Sequence, residues 1–160
     1  MNASAATSVR RAGADDLEAL ATLFDAYRQF YAQPSDLLRA RTFLAERIAR
    51  DESVLLLAEH AGVAAGFVQL YPIFSSVRTG RIWTLNDLFV APHARRLGVA
   101  RTLLRAACEH GRATGALGLQ LETTSSNQAA QALYRSEGWH DGDTLWFHRD
   151  LIDTKPMERA

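Results

Sequence analysis

Apolar positions early in the chain recur at spacings of three and four. Leu17, Leu20, Phe24, Tyr27 and Tyr31 therefore fall on one face of a helix. Asp15 with Glu18 three residues later reads as its capping box, and Pro34 stops it. A second helix is predicted with Leu37, Leu44 and Ile48 on one side and arginines on the other. From Ser53 the period changes to that of strands. Residues 54–58 are a continuous apolar run, and Ala61-Gly62 supplies a turn. Residues 63–71 form a second strand ended by Pro72, and residues 81–90 a third ended by Pro92. Such short connections make the three strands antiparallel.

Helical spacing returns at Val99, Leu103, Ala107 and His110, with Ala100, Leu104 and Cys108 widening the buried face and Gly115 as the C-terminal stop. Leu117, Leu119 and Leu121 alternate with Gly118, Gln120 and Glu122, a half-buried strand over residues 117–123. A last helix is predicted over residues 127–137, with Gly138 just past its end and Trp139 as hydrophobic follower. A strand pair turning at Gly142-Asp143 closes the chain. The fold class is α/β in the mixed α+β sense: a mostly antiparallel sheet flanked by helices. A chain of 160 residues fits one domain, with residues 1–8 and 154–160 as loose tails.

Charge and composition narrow the function. Lys+Arg is 18 and Asp+Glu is 18, so the net charge is zero and a nucleic-acid partner is not expected. Cys108 is the only cysteine, which excludes an intramolecular disulfide and a cysteine-based zinc cluster. The five histidines share no ligand spacing, so no metal is expected. No apolar run spans a bilayer and the start does not read as a signal peptide, so a cytoplasmic protein without a membrane partner is expected. Lys155, the only lysine, follows no P-loop glycine, and no serine sits in a Gly-x-Ser-x-Gly elbow.

The chemistry-bearing stretch is Val90-Ala-Pro-His-Ala-Arg95-Arg96-Leu97-Gly98-Val99-Ala100-Arg101, between the third strand and a helix. A strand that re-enters a helix at Gly98 presents backbone N–H groups, the positive end of a helix dipole and arginines. That is a cradle for a phosphate or pyrophosphate. An ordinary strand-to-helix connection would explain a single glycine equally well.

Read with its neighbours, Arg95-x-x-Gly98-x-Ala100 resembles the Gln/Arg-x-x-Gly-x-Gly/Ala signature of the GNAT superfamily of N-acetyltransferases. Leu88-Phe-Val-x-Pro92, Asn127 and Tyr134-x-x-x-Gly138-Trp139 follow in that superfamily's order and spacing, and the likeness covers nearly the whole chain. Asn86-Asp87-Leu88-Phe89-Val90 is most similar to the diamine and thialysine acetyltransferase branch. Two departures stand out. Arg96 occupies a position usually held by glycine, and Asn86 one where the diamine enzymes usually carry a glutamate base.

The resemblance implies an acetyl-CoA N-acyltransferase fold whose third strand and the 117–123 strand are parallel neighbours that splay apart. It implies acetyl transfer from acetyl-CoA by direct attack of a primary amine on a small molecule. Protein N-termini or lysines, or a non-catalytic acyl-CoA-binding module, are the alternatives. Leu88, Phe89 and Val90 would pair with the pantetheine arm, and Arg95, Arg96, Leu97, Gly98, Val99, Ala100 and Arg101 would hold the diphosphate. Asn127 and Tyr134, seven apart on one helix face, would meet the pantetheine and the sulfur, with Tyr134 as general acid. Without the resemblance Tyr134 reads as a core aromatic. Candidates for acceptor contacts are Tyr27, Tyr31, Asp36, Asn86, Asp87 and Glu122. Asp36 serves equally as a helix-start residue, and Glu122 as a solvated carboxylate. A homodimer is expected.

Overall fold

The structure is a computed structural model that describes residues 6–151. Contacts group the chain into two compact units, one ending at Glu122 and one beginning at Thr123. The first contains strands β1 (Thr7–Arg11), β2 (Val54–His60), β3 (Val63–Ser75), β4 (Gly80–Val90) and β5 (Leu119–Gln120). Its helices are α1 (Leu17–Phe30), α2 (Leu37–Ala49) and α3 (Val99–Ala113). The second unit contains α4 (Gln128–Ser136).

The five strands form one sheet in the order β1-β2-β3-β4-β5. The first three pairings are antiparallel, and β4 pairs with β5 in parallel through α3 as the crossover. The splayed mixed sheet expected from the sequence is therefore present. On one face, Leu20, Leu23 and Phe24 of α1 and Ala40 and Leu44 of α2 pack with Leu55, Leu57, Phe67 and Phe89. Successive strand residues alternate faces, so the equally buried Val54, Leu56 and Ala58 lie on the other side. There α3 crosses β1 to β4 and buries Val99, Leu103, Leu104 and Ala107. Cover on both faces explains why β2 reads as an unbroken apolar run. Each such leucine contributes roughly 1.5–3 kcal/mol on burial.

The corner between α1 and α2 is held by a buried carboxylate. Asp25 accepts from the Ser35 hydroxyl at 2.7 Å, the Asp36 amide at 2.8 Å and Gln29 Nε2 at 3.0 Å, with Arg28 Nη1 at 3.4 Å. These bonds, the Ser35 hydroxyl first, hold its carboxyl below the ordinary range despite burial.

Several expectations need correction. Thr7 and Ser8, assigned to a loose tail, pair with His60 and Glu59 in β1–β2. The start of α1 is not capped by Asp15 and Glu18: Asp16 accepts from the Gly13 amide at 2.9 Å and ion-pairs with Arg10. Pro72 does not end β3, which runs on to Ser75. The β2 ladder stops at Leu70, so beyond it β3 has an open edge on which a missing N–H is tolerated. The predicted 117–123 strand shrinks to two residues. The strand pair at Gly142-Asp143 is absent: residues 139–151 form no strand or helix. Its proposed tail, residues 154–160, lies outside the described residues. Among the described residues no helix is long and apolar enough to cross a membrane.

Candidate active site

Two features of β4 create a binding edge. Its parallel partner β5 is matched only at Trp83 and Thr84, so among the described residues 85–90 have no strand neighbour on that side. Backbone groups on that side, apart from the Val90 carbonyl bonded by Arg95, can serve an extended ligand as an added strand would. Beyond β4 a single 3₁₀ turn, Pro92–Ala94, leads to the start of α3. Thr102 is the first residue of α3 to bond back, to the Gly98 carbonyl at 3.1 Å. The preceding amides point out of the helix end, where the dipole is positive.

The backbone of this turn explains its glycine. Gly98 has φ 82, in the left-handed region, and a Cβ there would meet nothing within 4 Å. The glycine is therefore required by conformation, and the space above it is open. Arg96 is also left-handed, with φ 64. Such a conformation costs a non-glycine residue roughly 1–2 kcal/mol. Left-handed residues two apart turn successive N–H groups inward, a nest for an anion. Arg95 Nε donates to the Val90 carbonyl at 3.2 Å and ties strand end to nest. Arg95, Arg96 and Arg101 are all exposed around it.

The middle of β4 carries the second half of the site. Gln69 of β3 pairs with Asp87 and Leu70 with Leu85, which leaves Asn86 as an extra residue in a β-bulge. Asn86 is exposed whereas Asp87 is 4% exposed. The bulge nonetheless brings Asn86 Nδ2 to 3.1 Å from Asp87 Oδ1. Gln69 Nε2 donates to the other oxygen at 2.9 Å, and Tyr27 is also hydrogen-bonded to the carboxylate. Burial pushes the Asp87 carboxyl above the ordinary range, against these three donors. Tyr27 is hydrogen-bonded to Tyr31, their rings 5.1 Å apart. Burial and the charge of Asp87 raise the phenols of Tyr31 and Tyr71, the latter to about 12, and Glu122 adds its charge at Tyr31.

The geometry thus gathers Tyr27, Tyr31, Asn86, Asp87 and Glu122 of the sequence candidates. Asp36 lies apart in role: its Oδ1 accepts from the Arg39 amide at 2.9 Å and caps α2.

A match to the Acetyltransferase (GNAT) family covers residues 17–139. The chain belongs to the GNAT family. It is 47% identical over 141 residues to the "Uncharacterized N-acetyltransferase YhfO" of Bacillus subtilis, across 88% of this chain and 94% of that one. A crystal structure of "a probable acetyltransferase" superposes with TM-score 0.84 at 37% identity, covering 92% of this chain and 99% of its own. "Aminoglycoside N(6')-acetyltransferase type 1" of Klebsiella aerogenes is 30% identical over 99 residues, 61% of this chain and 65% of that one.

Within this GNAT chain the residues fit the thioester co-substrate the family implies. The unpaired edge at residues 85–90 suits the pantetheine amides, and the nest around Gly98 suits a diphosphate. The left-handed φ of Arg96 also explains why that signature position usually holds glycine. In the second unit, Asn127 Oδ1 caps α4 through the Ala130 amide at 3.2 Å. Gly138, at φ 84, ends it, and the Trp139 amide returns to the Tyr134 carbonyl at 3.0 Å. Tyr134 is half-buried, with its ring 6.3 Å from that of Trp139. Sequence reading missed Gln69, Ser53 and Tyr71. A polar Gln69 inside the apolar run of β3 was the signal available.

Proposed function

We propose that this GNAT acetyltransferase moves acetyl from acetyl-CoA to the primary amine of a small cationic molecule, in keeping with the diamine branch it resembles. The observation that carries this reading is Asp87, an acidic group 4% exposed, bonded to Tyr27 and with its charge felt by Tyr31 and Tyr71. A buried acidic group beside phenols suits an alkylammonium. Aromatic faces and a carboxylate are both complementary to a cation.

The chemistry needs a neutral amine. An alkylammonium near pKa ~10.4 giving its proton to an ordinary carboxylate near ~3.9 faces about 9 kcal/mol. Raising the carboxyl by burial lowers that gap, which suits Asp87 to receive the proton directly or through water. Asn86 cannot take a proton, so its part is to bond the carboxylate. The amine nitrogen then attacks the thioester carbonyl, forming the N–C bond as the C–S bond breaks. Amides of residues 88–90 would polarise that carbonyl. Acetyl-CoA supplies the activated acetyl group; Arg95 to Arg101 hold its diphosphate.

Tyr134 is assigned the proton that the leaving thiolate takes up. Tyr134→Phe keeps the ring, so the melting temperature and acetyl-CoA affinity should hold while kcat falls roughly 10²–10⁴-fold. Wild-type turnover in that variant, with chemistry rate-limiting, would reduce Tyr134 to a packing residue.

A further inference from the structure

Behind Asp87 runs a line of buried polar groups that the reaction itself does not require. The Ser53 hydroxyl, just before β2, lies 2.9 Å from Gln69 Oε1, and Gln69 Nε2 lies 2.9 Å from Asp87 Oδ2. Gln69 is 0% exposed and Ser53 is 7% exposed, so water cannot replace either partner of the amide. The assignment of hydrogens is forced. An ionised carboxylate only accepts, so the amide must turn its NH₂ to Asp87 and its oxygen to a donor, which Ser53 provides. A fully buried glutamine in the apolar run of β3 costs the fold its desolvation. An apolar side chain of like volume would serve packing better.

We propose that Gln69 and Ser53 are positioning residues: Ser53 fixes the Gln69 amide, and that amide holds the Asp87 carboxylate in one orientation toward the acceptor amine. The inference rests on the reading of Asp87 as the acceptor's carboxylate. The bulge at Asn86 divides the donors, with Gln69 on Oδ2 and Asn86 on Oδ1. Rotation of the carboxylate would break both bonds. Tyr27 of α1 is bonded to it, and Tyr31, just past α1, and Tyr71 of β3 feel its charge, while Glu122 acts on Tyr31, and Arg47 and Glu52 act on Tyr71.

The test measures the pH profile of kcat/KM for the amine together with the ¹³C titration of the Asp87 carboxyl. Wild type, Gln69→Met, Ser53→Ala and Asp87→Asn are compared. Gln69→Met removes a donor to the ionised form, so the carboxyl titration and the acidic limb should both rise by about one pH unit. kcat/KM near neutrality should fall about tenfold, and about threefold for Ser53→Ala, whose amide can turn over. The KM for acetyl-CoA should not move in either. If Gln69→Met fails to fold, Ser53→Ala carries the same readouts. A carboxyl titration that moves while the kinetic limb stays put overturns the proposal, as do unchanged profiles in both variants. Full activity in Asp87→Asn overturns the reading beneath it instead.

Discussion

Asp25 and Asp87 are both buried aspartates, at 6% and 4% exposure, yet their protonation is biased in opposite directions. Asp25 sits at the α1–α2 corner with a hydroxyl, a backbone amide, a side-chain amide and the Arg28 guanidinium around it. Gln69, Asn86 and Tyr27, which donate to Asp87, are all neutral. Desolvation dominates at Asp87, whereas at Asp25 the Ser35 hydrogen bond outweighs it and Arg28 adds positive charge. Asp25 is stabilised as an anion by its own fold. Asp87 is oriented as an anion but left short of positive charge, which a bound ammonium would supply.

The largest expected effect breaks Asp87. Asp87→Asn should lower kcat/KM for the amine roughly 10²–10⁴-fold. Stability should hold or rise slightly at neutral pH. The sign follows from the raised carboxyl: the fold favours its protonated form, and that contribution is lost as pH rises through the folded value. Activity and melting temperature measured on one preparation check both parts.

Asp25→Asn should do the reverse, leaving the acetyl-CoA affinity intact and costing about 1–3 kcal/mol of stability. Its carboxyl is held low, so its contribution is present above the ordinary carboxylate value and lost as pH falls through the folded one. The melting gap between wild type and Asp25→Asn should therefore close on acidification below about pH 4. A gap that persists there would mean the corner is held by packing alone.

How far these roles were legible in the chain differs by element. The Gly98 turn was readable because a left-handed residue at a helix start needs glycine, and the surrounding arginines announce an anion. That Arg96 shares this conformation was not readable, since arginine carries no sign of it. Asp87 was visible as a candidate, but its burial depends on the bulge at Asn86, and a single extra residue leaves no mark on strand alternation. Gln69 and Ser53 act through partners at distances of 16 and 18 in sequence, beyond any local pattern. Strand β1 was missed because five residues, three of them polar or charged outward, lack an apolar run. The closing hairpin was overcalled: Leu145, Trp146 and Phe147 supply strand propensity, but they stand 83%, 65% and 90% exposed.

The smallest effect concerns neither aspartate and serves as their control. Arg96→Gly relieves a left-handed arginine and should change stability by no more than about 1 kcal/mol, upward. Calorimetry checks it, with the Asp25 and Asp87 variants alongside. A loss of several degrees would mean the guanidinium, rather than the backbone, organises the turn.

The most direct measurement is acetyl-CoA thiol release against a panel of polyamines, amino acids, aminoglycosides and peptides, by wild type and Asp87→Asn side by side. The expected result is turnover of a small cationic amine by wild type, with the rate on that same amine collapsing in Asp87→Asn. Preferential turnover of peptides, or an Asp87→Asn enzyme as fast as wild type on its best amine, would contradict the assignment of Asp87 to a cationic acceptor.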